Sequence, residues 1–318
     1  MYMFKYVTKR ILLMLLTFVV IMGICFVLVK LLPLPNVKQF GQDMNLILMR
    51  REKLGYNKPI LVQLWIYVKS IVTTGDWGVG ETLYTGQEVW SIFVRKLPAS
   101  VLVNFYAMIF SVPIGLALGI LAALKKNTIL DHIISTGVMI FVSVPSYVYA
   151  FIVQYLFSFR LGWLPFQMLA SYDYFTWPMF VSLIAPILSL SFGTIAGLTR
   201  YTRAELTEVL TNDFMLLART KGLTKRQATM RHALRNAMVP ILPMIIAEFI
   251  GILSGSIVIE RIFSIPGVGN LYVDAIQQLD YNFFMLLSAF YTFVGLLSSI
   301  VIDLSYGFID PRIRMGAK

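Results

Sequence analysis

Six stretches of this 318-residue chain, at residues 11–31, 101–124, 133–157, 179–198, 237–259 and 283–302, are apolar for about as long as a bilayer is thick. A hydrocarbon core near 30 Å takes about 20 residues of helix at about 1.5 Å each, so each stretch predicts one span. In lipid every backbone polar group must be satisfied within the segment, which leaves helices as the spanning form for runs of this kind. The expected fold is therefore all-α: a polytopic membrane protein of six transmembrane helices with a long segment after the first. Of all residues, 58% are hydrophobic and only 14% are charged, too little polar surface for a water-soluble domain. Disorder, secretion as a soluble product and a large catalytic domain are excluded.

The net charge of +11 acquires meaning from where the 27 basic residues lie. Sixteen fall in the segments before the first span, at 125–132, at 200–235 and after residue 310, whereas the loops 158–177 and 260–282 hold one each, Arg160 and Arg261. The positive-inside rule puts both termini and the 200–235 loop in the cytoplasm. The segment from 32 to 98 is too long for that rule to count. Residues 11–31 are too long for a signal-peptide core and lack a small-residue cleavage site, which makes them an uncleaved anchor. Cys25 is the only cysteine, and His132 and His232 lie far apart, so no disulfide framework or metal-ligand spacing exists. The basic balance lies in loops and does not point to nucleic acid.

Three regions are expected: 1–32 with the first span, 33–98 outside the membrane, and 99–318 as a five-span core. Within the second, Pro59 followed by Ile60, Leu61, Leu64, Trp65, Val68, Ile71 and Val72 predicts an amphipathic helix ended by the turn-like Thr74-Gly75-Asp76-Trp77-Gly78. It either lies on the outer membrane surface or packs over the bundle. Glycine pairs at four-residue spacing, Gly115/Gly119, Gly193/Gly197 and Gly251/Gly255, allow close helix approach, as packing or as moving contacts. Pro113, Pro145, Pro186, Pro240 and Pro243 predict kinks within spans. Lys30 and Asp303 stand near span ends, where a charged head reaches water. Glu248, eleven residues into its span, is either a pathway residue or a neutral packing residue.

No phosphate-cradling Gly-x-x-x-x-Gly-Lys loop, no Gly-x-Ser-x-Gly and no His-Glu-x-x-His occurs. One mid-span acid is thin support for an ion-coupled carrier, although a stand-alone secondary carrier or channel remains the contrasting class. The informative stretch is the loop 200–235. Thr211-Asn212-Asp213 starts a short helix, Gly222 is placed to end it, and Thr224-x-x-Gln227 has the form of a capping box opening a second helix toward the fifth span. The result is either a rigid projection able to convey force or a solvated basic hairpin.

In this loop, Ala218-Arg219-Thr220-Lys221-Gly222-Leu223 and Arg231-His232-Ala233-Leu234-Arg235-Asn236-Ala237 with Pro240 resemble the EAA loop of permease subunits in binding-protein-dependent ABC importers, of the dipeptide/oligopeptide/nickel branch. The likeness runs along nearly the whole chain, through Lys9-Arg10, Gly75-Asp76-Trp77-Gly78, Arg95 to Ser100, Val144-Pro145-Ser146, Arg160 to Pro165, Glu260 to Gly269 and Asp310-Pro311-Arg312. It departs at Leu32-Pro33-Leu34-Pro35-Asn36, where the family has a Pro-Gly-Asp-Pro-like turn, at Thr220, where alanine is usual, and at Leu217, where a polar residue is common.

The resemblance implies a type I importer permease in a bacterial cytoplasmic membrane, paired with a homologous second permease. Two cytoplasmic ATPase subunits bind ATP and magnesium, an extracytoplasmic solute-binding protein delivers the substrate, and the chain itself has no cofactor, metal or catalytic residue. The expected substrate is a di- or oligopeptide, with nickel chelates and oligosaccharides as alternatives within the branch. ATPase coupling falls to Phe214, Leu217, Ala218, Arg219, Lys221, Gly222 and Leu223. Path candidates are Glu248 and, in the segment 262–270, Phe263, Ser264, Pro266, Gly267 and Gly269.

Overall fold

The computed structural model describes residues 2–33, 49, 51–52, 55–169 and 173–309; the turn at 34–36 and the ending at 310–312 lie outside the described residues. The helices are α1 (Tyr2–Leu31), α2 (Ile60–Thr74), α3 (Val89–Leu124), α4 (Ile129–Ser143), α5 (Ser146–Val153), α6 (Trp177–Leu210), α7 (Asp213–Thr220), α8 (Lys225–Ala228), α9 (Leu234–Gly251), α10 (Ile257–Ile262), α11 (Val268–Gln277) and α12 (Tyr281–Ile309). Wide π turns continue α5 over Gln154–Arg160 and join α8 to α9 over Thr229–Ala233. Among the described residues, five helical stretches are long and apolar enough to cross a membrane, and α4 with α5 makes a sixth if the bent pair counts as one span.

That bend corrects the expectation of one kinked span at 133–157. The two halves meet at 101°. Val144, ahead of the proline, is extended (φ −97°, ψ 127°), and Pro145 has no N–H to continue the ladder, so the helix stops and restarts at Ser146. The fifth span also ends earlier than residue 259. After Gly251 one tight turn, Ile252–Ser254, runs into Gly255 at φ +65°, a left-handed residue that an α-helix cannot pass through. Two other spans are longer than their apolar runs: α3 starts at Val89, whose side chain is buried with Ile92 and Phe93 at helical spacing, and α6 runs on to Leu210, with Leu206 buried.

The chain divides into two compact units. The first comprises Met1–Ser100, Ser254–Ile257 and Pro266–Leu297. Its core gathers Leu83, Val89, Ile92 and Phe93 with Leu271, Phe283 and Leu287. A second cluster docks Ile60, Leu64 and Tyr67 of α2 onto Phe26 and Val29 near the end of α1. As expected, α2 ends at a left-handed Gly75. Its other face leaves Leu61, Trp65, Val68 and Val72 exposed. Lys30 places its ammonium 3.3 Å from the centroid of the Tyr56 ring, a cation–π contact at the end of its span.

Asp280 organises this unit. One carboxylate oxygen, Oδ2, accepts the backbone N–H groups of Glu81 (2.8 Å), Thr82 (2.9 Å) and Leu83 (3.0 Å) and the Thr82 hydroxyl, and Oδ1 accepts Phe283 N–H in the first turn of α12. Burial pushes this carboxyl above its ordinary value, against the pull of the N–H donors.

The second unit comprises Val101–Leu253, Val258–Ile265 and Ser298–Lys318. Here α3 and α6 approach closely. A Cβ on Gly115 would stand 2.9 Å from Leu198 Cβ, and one on Gly119 only 2.5 Å from Thr202 Cβ. Across the seam Thr199 Oγ1 donates to Gly115 O (3.1 Å). The Gly115/Gly119 pair is thus a packing contact, whereas Cβ atoms on Gly193, Gly197 and Gly251 would meet nothing within 4 Å.

Candidate functional site

The short helix α7 and its turn project from the end of α6. Asp213 places an acid in the first turn of α7 and Arg219 a base in the last, both favourable to the helix dipole. The turn that follows is a Schellman motif: Gly222 N–H bonds Arg219 O (3.0 Å) and Leu223 N–H bonds Ala218 O (3.3 Å), with Gly222 at φ +89°. Thr224 then opens α8 with both halves of the capping box in place, its hydroxyl accepting Gln227 N–H and its own N–H bonding Gln227 Oε1. From Lys225 the chain is helical through the π turn into α9.

Side chains step about 100° around a helix, which divides α7 into two faces. Met215 and Ala218 are buried, in a cluster with Leu206, Ala228, Ala233 and Ala237. That cluster ties α7 to the base of α6 and the start of α9. The opposite face shows Leu216 (64% exposed) and Leu217 (55%), with Phe214 at its edge (37%). Three large apolar residues thus stand exposed on one eight-residue helix, an apolar face rather than a uniformly basic one. Arg219, Lys221 and Gly222 are exposed and Leu223 half-buried. Of the expected coupling residues, Ala218 thus serves as an anchor. Met215 and Leu216 complete the two faces and were missed, although their spacing from Ala218 and Leu217 carries the signal.

An ion pair absent from the sequence reading stiffens this end of the unit. Arg203 of α6 binds Asp131 of α4 through two parallel hydrogen bonds, Nε to Oδ1 (2.6 Å) and Nη2 to Oδ2 (2.8 Å). Asp131 is 1% exposed and also accepts Asn127 N–H and the Ser135 hydroxyl. Nothing in the sequence marks the pair, because its members stand 72 residues apart.

Glu248 lies on an exposed flank of α9. Phe263 is buried, and its carbonyl accepts Met168 N–H (3.0 Å). Ser264 is exposed and left-handed, at φ 51°. Pro266 is half-buried, and Gly267 and Gly269 are buried around the start of α11. Buried Gln154, in the π turn after α5, donates through Nε2 to Phe166 O (3.0 Å) and Ile262 O (3.1 Å). It pins the loop 158–169 to the segment that ends α10.

These features define a class: a polytopic helical membrane subunit that presents an amphipathic helix on a rigid turn at one end of its bundle. The chain belongs to the family described as binding-protein-dependent transport system inner membrane component, whose profile matches residues 115–315, with the N-terminal profile of the same component matching residues 3–104. It is 33% identical over 316 residues to the dipeptide transport system permease protein DppB of Lactococcus lactis subsp. cremoris, covering 98% of this chain and all of the relative. It is 31% identical to the oligopeptide permease OppB of Haemophilus influenzae (98% and 100% covered) and 30% identical to the glutathione permease GsiC of Salmonella choleraesuis (98% and 99%). Among solved structures, an inward-facing MetNI methionine ABC transporter chain matches at a TM-score of 0.50 and 18% identity, over 72% of this chain and 98% of that one, a likeness of fold.

The protein is accordingly a multi-pass permease subunit of a binding-protein-dependent ABC importer in the cytoplasmic membrane. It is not itself catalytic. ATP is bound by a partner ATPase, and a binding protein is the other partner that the family implies.

Proposed function

We propose that this subunit forms one half of a path for di- and oligopeptides, completed by a homologous second permease and fed by an external binding protein. One of two ATPase subunits seats α7, through Phe214, Leu216 and Leu217 with Arg219 and Lys221 beside them. Both termini and the α7 turn face the cytoplasm, in keeping with the sixteen basic residues on that side. The observation that carries the reading is the two-faced α7: an apolar face left open, and an inner face locked by Met215 and Ala218 onto the helices that enter the membrane.

Mechanically, the Schellman turn and capping box leave little slack between α7 and α9. Closure of an ATPase dimer displaces α7 as a body and carries the base of α6 and the start of α9 with it. Reversing an inward/outward preference from about 1:99 to 99:1 takes about 5.5 kcal/mol of differential binding, which docking on two ATPase conformations supplies without this chain touching nucleotide. Glu248 supports a path on the α9 side: a carboxylate on an exposed span flank is costly against lipid and is accommodated by a water-filled path or a neighbouring subunit. Ser264 and Pro266 offer surface for the outer mouth, while Phe263, Gly267 and Gly269 hold the segment in shape.

Cross-linking tests the docking. With Cys25 replaced by serine, a single cysteine at Leu217 labelled with a maleimide-linked benzophenone should, on irradiation, insert into a C–H bond of an ATPase subunit in the assembled importer, in a yield that changes when ATP is added. A Leu217→Cys importer that transports peptide yet never cross-links to an ATPase overturns the reading.

A further inference from the structure

Beside α7, on the flank that bears Arg219 and away from Leu217, lies an open hollow of about 470 Å³. Lys126, Arg219 and Lys225 line it together with the polar residues Thr211 and Asn212. None of the three cations makes an ion pair among the described residues, and no carboxylate lines the hollow. Asn212 stands at the N-cap of α7 without using its side chain to cap it. Part of the wall is apolar, from Leu124, Leu210 and Leu216. Lys126 stands two residues beyond Leu124, where the apolar run ends, so the hollow opens where a span leaves the hydrocarbon.

Three unpaired cations around one concavity with hydroxyl and amide groups at its rim suit a multiply hydrogen-bonding anion, and the apolar wall suits the first carbons of an attached glycerol. We propose that this hollow binds a phosphate-bearing anion, either the headgroup of an anionic phospholipid in the adjoining leaflet or a phosphate from solution. Bound there, the anion bridges the end of α3 (Lys126), α7 (Arg219) and α8 (Lys225), and steadies the helix that the ATPase grips.

The test uses the complete importer with its partner subunits. It is reconstituted in phosphatidylcholine vesicles with and without phosphatidylglycerol, then extracted and weighed intact by mass spectrometry for retained lipid and for ATPase subunits. The wild type should retain phosphatidylglycerol in preference to phosphatidylcholine. Lys126→Gln with Lys225→Gln should weaken that retention about 25-fold, about fivefold for each lysine, and Lys126→Arg with Lys225→Arg should restore it. In a parallel arm, inorganic phosphate is titrated into the detergent-solubilised complex. Stabilisation by phosphate without lipid preference, lost in the glutamine variant, assigns the anion to solution and equally supports the site.

Equal lipid retention and equal phosphate response in wild type and glutamine variant overturn the proposal, as does an assembled structure with an ATPase carboxylate seated between Lys126 and Lys225. Absence of ATPase subunits from the extracted wild type counts instead against the docking of α7 described above.

Discussion

Asp280 ties the first unit together, because three consecutive backbone N–H groups converge on one of its oxygens. Replacing it with asparagine removes the negative charge and one of the two acceptors: whichever way the amide turns, its NH₂ faces N–H donors, either those of residues 81–83 or that of Phe283. With buried donors stranded at about 1–3 kcal/mol each, Asp280→Asn should cost about 3 kcal/mol or more, read as a lowered unfolding midpoint in detergent. Gly222 tests a different principle. Space is free around its Cβ position, so the penalty of a side chain comes from the left-handed backbone alone, about 1–2 kcal/mol for a β-branched residue. Gly222→Val should therefore leave the complex assembled while reducing peptide uptake. Normal uptake in that variant would count against the rigid turn as a transmitter.

Helices meet through residues far apart in sequence, and this limits what a single sequence discloses. The Gly222 turn and the Thr224–Gln227 box were legible because caps are local: each joins groups within six residues. The long extensions of α3 and α6 were not, since apolar runs mark lipid rather than helix ends. Nor was the 101° bend legible, because a proline inside an apolar run predicts some break but not its angle. Asp131 and Arg203 illustrate the same limit. Asp131→Asn leaves a guanidinium with a weaker partner. Because the Arg203 side chain is about a third exposed (32%), the loss should be about 1–3 kcal/mol rather than that of a fully buried pair. It should appear as faster proteolysis near residues 125–132. The α3–α6 seam is sharper. Gly119→Ala drives a methyl into Thr202 and should destabilise by about 1–3 kcal/mol, whereas Gly193→Ala, which meets nothing, should be nearly neutral in the same unfolding assay.

For the assembled importer, the family and the exposed face of α7 lead to one expectation. Vesicles holding this chain alone should show no peptide uptake, and uptake should appear only with the second permease, both ATPases, the binding protein and ATP. Uptake by the lone chain down a proton gradient would instead identify a self-sufficient carrier.

The wide turn at Thr229–Ala233 has a bearing on how such subunits tolerate change. A π turn stores one residue beyond what an α-helix needs to reach the same point. Deleting a single residue there lets the backbone close into ordinary α-helix while Glu248 keeps its compass heading. The same deletion within 234–251 swings everything beyond it by about 100°. A shortened importer with one residue removed at 229–233 should still work, and one shortened a few residues later should not.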